Sequence, residues 1–164
     1  MTRLLSRGLI VFTGLVAAPF VQFINAASHS PRVPVDERVI LLKQFFGERD
    51  APAAAYADDF VRAADGNGLD WRLLPGIAYV ESGGGKLYKN NNIFGWNNAG
   101  FRFASIRDSI YHVASRLRLS RLYRGKDTRE ILLTYNNGDT DYQRRVTKVM
   151  RAIGPEPEPL VSFD

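Results

Sequence analysis

The chain has 164 residues, with 22 Lys+Arg against 17 Asp+Glu, no cysteine, and His29 and His112 as its two histidines. That length holds one domain with tails, and 45% hydrophobic with 24% charged residues excludes wholesale disorder. Without cysteine there is no disulfide scaffold, thiol nucleophile, Fe–S cluster or Cys-ligated zinc, and two histidines leave no His-based metal cluster and no strong Ser–His triad.

Residues 1–26 read as a secretory signal. Arg3 and Arg7 supply the positive start, Gly8 to Ile24 is an uncharged apolar run, and Ile24-Asn25-Ala26 before Ala27 is a usable cleavage site. The alternative is an uncleaved membrane anchor, since the run approaches a spanning length. Residues 1–26 carry two arginines and no acid, so their removal leaves 138 residues with a net charge of +3. Such a mild excess suits an anionic polymer and argues little for nucleic acid, which an exported protein rarely meets.

Residues 27–50 comprise a Ser/Pro/Arg-containing linker to residue 35 and a first helix from Val35 to Phe46, with Asp36 as N-cap and Val39, Leu42, Phe45 and Phe46 on one stripe. A second, alanine-rich helix runs from Ala51 to Asp65. Asp70 caps a third, Trp71 to about Ser82, with Pro75 near its first turn, where the missing N–H costs little; Gly83-Gly84-Gly85 stops it. Residues 83–104 are irregular and rich in Gly and Asn. Ser105 and Asp108 form a capping box for a fourth helix to about Leu119, with Ile106, Ile110, Val113, Ala114 and Leu117 inward. Asp127 and Glu130 open a fifth, to Tyr135, ended by Asn136-Asn137-Gly138. A sixth spans about Asp141 to Ile153 with Val146, Val149, Met150 and Ile153 inward, and Pro155 to Asp164 form a loose tail. No strand-like alternation stands out, so the fold class expected is all-α, with little or no β-sheet and one compact domain at 51–154.

One residue does not fit its face. Positions 74, 77, 78 and 81 share a stripe of the third helix; Leu74, Ile77 and Ala78 are apolar, and the fourth is Glu81. Partial desolvation there raises a carboxyl pKa, and the negative end of the helix dipole pushes the same way. A carboxylic acid kept protonated near neutral pH is what a general acid needs. The bland alternative is a Glu at a helix end that turns into water. Residues 82 to 107 tip the balance towards a polar cleft. They contain no acid but four bases (Lys86, Lys89, Arg102, Arg107), five asparagines (Asn90, Asn91, Asn92, Asn97, Asn98) and the aromatics Tyr88, Phe94, Trp96, Phe101 and Phe103. Amides beside aromatic rings suit sugar hydroxyls and acetamido groups, and bases suit carboxylates; turn chemistry for the asparagines and core packing for Phe94 are the structural alternatives.

The run from Gly68 to Gly83, Gly-Leu-Asp-Trp-Arg-Leu-Leu-Pro-Gly-Ile-Ala-Tyr-Val-Glu-Ser-Gly, resembles the catalytic helix of lysozyme-like peptidoglycan hydrolases, where a hydrophobic helix ends in Glu-Ser and the Glu is the acid. Asn91-Asn92-Ile93-Phe94-Gly95-Trp96 resembles the Asn-Asn-Leu-Phe-Gly segment of the glucosaminidase, flagellar-muramidase-type branch, and Leu133-Thr134-Tyr135-Asn136 the Tyr-Asn motif that lines the cleft across the superfamily. The match covers roughly residues 56–153. Lytic transglycosylases share Glu-Ser but carry a Gly-Leu-Met-Gln-like segment in place of the second motif.

The resemblance implies a lysozyme-like helical domain in which Glu81 is the catalytic acid and Tyr135 faces its carboxyl or the reacting sugar, although Tyr135 reads equally well as a core aromatic. Ser82, Asn91, Asn92, Phe94, Trp96 and Asn136 would bind substrate. No metal or cofactor is implied. The partner implied is the glycan strand of peptidoglycan, met in the periplasm or outside the cell; neither nucleic acid nor stable membrane insertion after signal removal is expected, and a monomer is. Two departures matter. The spacing from Glu81 to Asn91 leaves little room for a hairpin carrying a second carboxylate, and the next acid, Asp108, is used by the capping box. A two-carboxylate glycosidase places the partner about 5–5.5 Å away for retention or roughly 6.5–9.5 Å for inversion; Asp139 and Asp141 are candidates but look like turn and cap residues. A one-acid mechanism is therefore expected, with attack by the substrate's own N-acetyl group or 6-hydroxyl, or by water that Glu81 activates. Alternatives are a lytic transglycosylase giving anhydro products and an inactive peptidoglycan-binding module.

Overall fold

The computed structural model describes residues 36–156. The export signal expected at 1–26, the linker to residue 35 and the tail beyond residue 156 lie outside the described residues. Six α-helices follow in order: α1 (Glu37–Gly47), α2 (Ala57–Asp65), α3 (Leu73–Ser82), α4 (Ile106–Leu119), α5 (Thr128–Tyr135) and α6 (Thr140–Ile153). The described residues form an all-α unit without strands; one isolated antiparallel bridge joins Lys89 and Asn92. No helix among them is long and apolar enough to cross a membrane.

The caps explain most boundaries. Asp36 accepts from the Arg38 amide at 2.9 Å and opens α1, whose stripe of Val39, Leu42, Phe45 and Phe46 is buried. α1 is thus a packed brace, lying against α2 and α6. The second helix differs from expectation: Pro52–Tyr56 is a tight 3₁₀ turn, and α-helix begins only at Ala57. The Ala53 amide donates across to the Gly84 carbonyl at 3.0 Å, and that of Ala54 to Ala51, three residues back, at 3.1 Å, so the first turn closes with the tighter 3₁₀ spacing.

α3 also starts late, at Leu73, because Asp70 closes a turn of its own, accepting from the Arg72 amide at 2.9 Å. The Arg72 guanidinium pairs with Asp70 at 2.7 Å and donates to the Gly154 carbonyl at 3.1 Å, pinning the start of α3 to the end of α6 in a nearly dry environment. Every residue from Trp71 to Ala78 is buried. α3 is the central helix, packed most extensively on α6. Gly76 permits that approach, since a Cβ there would meet Met150 Cγ at 3.0 Å and Val146 Cγ1 at 3.2 Å. α2 packs on α4, and α5 on α6.

At α4, Ser105 accepts from the Asp108 amide at 3.0 Å, but the Asp108 carboxylate reaches back to the amide of Ala104, one residue beyond a standard box. The box at α5 is complete, with Asp127 and Glu130 each accepting from the other's amide. The core is continuous from α1 through Phe60 to Phe94, with Phe46 stacked on Phe60 at 5.9 Å and Phe60 edge-on to Phe94 at 6.4 Å.

Candidate active site

Glu81 occupies the last turn of α3. Leu74, Ile77 and Ala78 on its stripe are fully buried, and Gly83 ends the helix in the left-handed conformation, φ 64°. The carboxylate emerges where the helix leaves the core and lines an open groove of about 1190 Å³. Glu81 is exposed to solvent along the groove, but the protein around it still withdraws water. This desolvation raises its pKa above 4.5; the Tyr142 hydroxyl and the Arg145 charge pull back without cancelling the rise.

The wall facing Glu81 is the segment 90–104, held in shape by two asparagines. Asn92 is buried: its Oδ1 accepts from the Trp96 amide at 2.9 Å, and its Nδ2 donates to the carbonyls of Trp96 at 2.8 Å and Phe101 at 3.3 Å. Asn91 Nδ2 donates to the carbonyls of Phe103 and Ala104 at 3.0 and 3.2 Å. Between them and Trp96, Ile93 and Phe94 are driven fully into the core. The loop then meets Glu81 at Gly95, φ 62°, where a Cβ would stand 2.5 Å from Glu81 Oε2. Only glycine gives both the conformation and the clearance.

Behind the carboxylate is an aromatic layer. Trp96 is half-buried, 5.7 Å from Tyr135 and 6.3 Å from Tyr123 between ring centres. Tyr135 stacks on Tyr142 at 6.0 Å, with the rings 3° from parallel. The Tyr135 hydroxyl donates to the Phe94 carbonyl at 2.6 Å, tying α5 to the loop, and burial with Glu81 nearby holds its pKa well above the ordinary phenol value. The Tyr142 hydroxyl is buried and close enough to Glu81 for each to shift the other's titration, yet it closes no hydrogen bond of normal geometry among the described residues.

Several expected substrate contacts are structural instead. Phe94 is a core residue. Asn92 and Asn91 spend their amides on the loop's own backbone. Ser82 is buried, donating to the Ala78 carbonyl at 2.8 Å and accepting from the Gly85 amide at 2.9 Å, so it fastens the glycine turn. Tyr135 borders the groove, with its hydroxyl donated to the Phe94 carbonyl, which ties it to the loop. Glu81, Trp96 and Asn136 do line the groove, joined by Asn97, Asn98 and Phe101. Of the expected bases, Arg107 is drawn to Asp59 on α2 at 2.9 Å, and Lys86, Lys89 and Arg102 are not among the groove-lining residues.

Among the described residues, Glu81 is the only carboxylate lining the groove. Asp139 is the N-cap of α6, accepting from the amides of Asp141 and Tyr142 at 2.8 and 3.1 Å, and Asp141 pairs with Arg144. No group of three or more His, Asp or Glu side chains that could hold a metal ion occurs among the described residues. Gly95, Tyr142, Arg145 and the wall of Arg116, Arg121 and Tyr123 join the expected residues around Glu81. For Gly95 the signal was the Phe-Gly of the second motif; for Arg116 and Arg121 it was a run of five bases without an acid between 116 and 126.

No family model, curated protein or solved structure matches this chain.

Proposed function

We propose that the chain is an exported glycosidase that cuts the glycan strands of peptidoglycan, with Glu81 as its single general acid and base. The observation that carries this reading is a lone carboxyl group with a raised pKa at the wall of an open groove flanked by aromatic rings and side-chain amides. Protonated Glu81 donates to the glycosidic oxygen as the bond to the anomeric carbon breaks, and the electron pair leaves with that oxygen. Positive charge develops on the ring. No second carboxylate among the described residues lines the groove, so either the acetamido oxygen of the same sugar closes an oxazolinium that water then opens, or the 6-hydroxyl or a water attacks the anomeric carbon directly; in each case the attacking O–H gives its proton to the Glu81 carboxylate. Trp96 offers a partly exposed face for a sugar ring, and Asn97, Asn98 and Asn136 offer amides to its hydroxyl and acetamido groups. The lysozyme-like resemblance of the Glu-Ser, Asn-Asn-x-Phe-Gly and Tyr-Asn motifs supports the same reading.

The test is Glu81→Gln on purified sacculi. Release of soluble muropeptides is expected from the parent and not from the variant; equal release from both overturns the assignment. Mass spectrometry of the products separates reducing ends from anhydro sugars, and so hydrolysis from transglycosylation, and identifies which sugar carries the new end. The solitude of Glu81 also favours a second reading, a groove that binds the wall without cutting it. Retention on insoluble peptidoglycan with no new chain ends over days would establish that reading instead.

A further inference from the structure

A path of basic surface leads from the point where α6 ends to the groove. Next to that end is a hollow of about 310 Å³, bordered by Arg72, Thr128, Arg129, Arg151 and the last described residue, Glu156. A second hollow, of about 200 Å³, shares Asp70 and Thr128 with the first and Tyr123 with the groove, so the three are continuous. Bases recur along the way: Arg129 and Arg151 at the first hollow, Arg118 and Lys126 at the second, Arg116 and Arg121 at the groove. The acids of the second hollow are engaged, Asp70 with Arg72 at 2.7 Å and Asp127 as the cap of α5, so the surplus along the path is positive. Leu119 and Leu122, 66% and 58% exposed, come next, where the path opens into the groove.

The sequence after α6 is complementary to this surface. No base follows Arg151, whereas acids stand at 156, 158 and 164; Pro155, Pro157 and Pro159 alternate with the first two, and Leu160, Val161 and Phe163 follow. Acids and then apolar residues along the chain match bases and then exposed leucines along the surface. The lengths agree. Leu122 is six residues from Thr128, so the two are at most about 20 Å apart, and less because the Lys126 amide closes a turn on the Tyr123 carbonyl at 3.1 Å. Laid out extended at ~3.1 Å per residue, Leu160 to Phe163 fall roughly 12 to 22 Å beyond Glu156, and prolines at alternate positions lower the entropy lost in that layout.

We propose that residues 156–163 of this chain dock along the path, with Glu156 and Glu158 against its bases and Leu160 and Phe163 over Leu119 and Leu122, so that the chain shields its own groove. The contact stands on the surface and the sequence; that it restrains turnover rests on the proposed glycosidase function.

The chain has no cysteine, so an introduced pair is unique. Leu160→Cys is combined in the full chain with Leu122→Cys or, as a control, with Ile40→Cys. Ile40 is 50% exposed and adjoins Leu41, whose Cδ1 is 3.2 Å from where a Gly154 Cβ would stand, at the point of departure from α6. A segment without a preferred site therefore meets Ile40 at least as readily as Leu122. Under mild oxidation at high dilution, the Leu122 pair is expected to close about tenfold faster than the Ile40 pair, and Glu156→Lys with Glu158→Lys to abolish that advantage. Equal rates, a faster Ile40 pair, no intramolecular disulfide, or an advantage that survives the charge reversal overturns the docking. Sacculus digestion without the cysteines keeps the two claims apart. Release that rises severalfold in the reversed variant, and not in a charge-matched control of Glu37→Lys with Glu48→Lys on α1, supports shielding of a catalytic groove. Release unchanged by the reversal, or raised equally in the control, refutes the shielding. No release from any of the proteins removes the glycosidase and leaves the docking to the disulfide rates.

Discussion

Gly95 and Glu81 are held so closely that a single methyl group at position 95 would stand 2.5 Å from the carboxylate oxygen. The loop is fixed by Asn92 and by the Tyr135–Phe94 bond, and the helix by its core face, so the Glu81 side chain is what must turn aside. Gly95→Ala is expected to displace the Glu81 side chain and lower turnover by about a hundredfold, since a misplacement of ~1 Å in a catalytic group costs about that much. The left-handed backbone at this position adds roughly 1 kcal/mol of destabilisation. Sacculus digestion alongside thermal melting checks both; full activity with an unchanged Tm would show that the contact relaxes freely.

Glu81 should make the fold sensitive to pH in a definite direction. Desolvation raises its folded-state pKa above 4.5, so between the unfolded and folded values the native state binds the proton more tightly. Its contribution is fully present below the unfolded value and is lost as pH rises through the folded one. Glu81→Gln, which cannot ionise, should therefore gain stability relative to the parent as pH increases across that window. Parallel melting curves at a series of pH values test this; a gain that grows towards acid pH contradicts the raised pKa.

Tyr142 restrains that rise, since its hydroxyl favours the ionised carboxylate. Tyr142→Phe removes a buried hydroxyl that closes no hydrogen bond of normal geometry among the described residues, so the fold should tolerate it within about 1 kcal/mol. The Glu81 pKa should climb, moving the alkaline limb of the pH–rate profile to higher pH. A shift in the acid direction would mean that the phenol acts on the protonated carboxyl instead.

Phe94 distinguishes a core role from a sugar contact. Its ring is fully buried against Phe60, so Phe94→Ala should cost about 3–5 kcal/mol of stability by opening a cavity. Trp96→Ala leaves a half-buried position at the groove and should weaken glycan binding more than it weakens the fold. Chemical denaturation and oligosaccharide titration of the two variants should rank them in opposite orders.

Local periodicity made much of this protein readable from its residues. The stripes of α1 and α4 and the caps at Asp36, Ser105 and Asp127 act within a turn or two, so their energetics are contained in adjacent residues. Glu81 announced itself the same way, as the one acid on an otherwise greasy face of α3. The side chains of Ser82, Asn92 and Phe94 were misjudged because a short polar or aromatic loop residue has no period to say whether it faces core or groove. That is settled by which backbone groups need partners: Asn92 answers those of Trp96 and Phe101, and Ser82 those of Ala78 and Gly85. The late start of α2 comes with a bond to Gly84 that no local rule contains, whereas that of α3 follows from the turn Asp70 closes on the Arg72 amide. Arg116 and Arg121 from α4 and its following turn come to one groove with Glu81, and Tyr142 from α6 comes close to its carboxyl, through helix packing, which brings together residues far apart in the chain. The identity of the acid was therefore local information, whereas its protonation and its company depend on desolvation and neighbouring charge, and those exist only once the helices have closed around it.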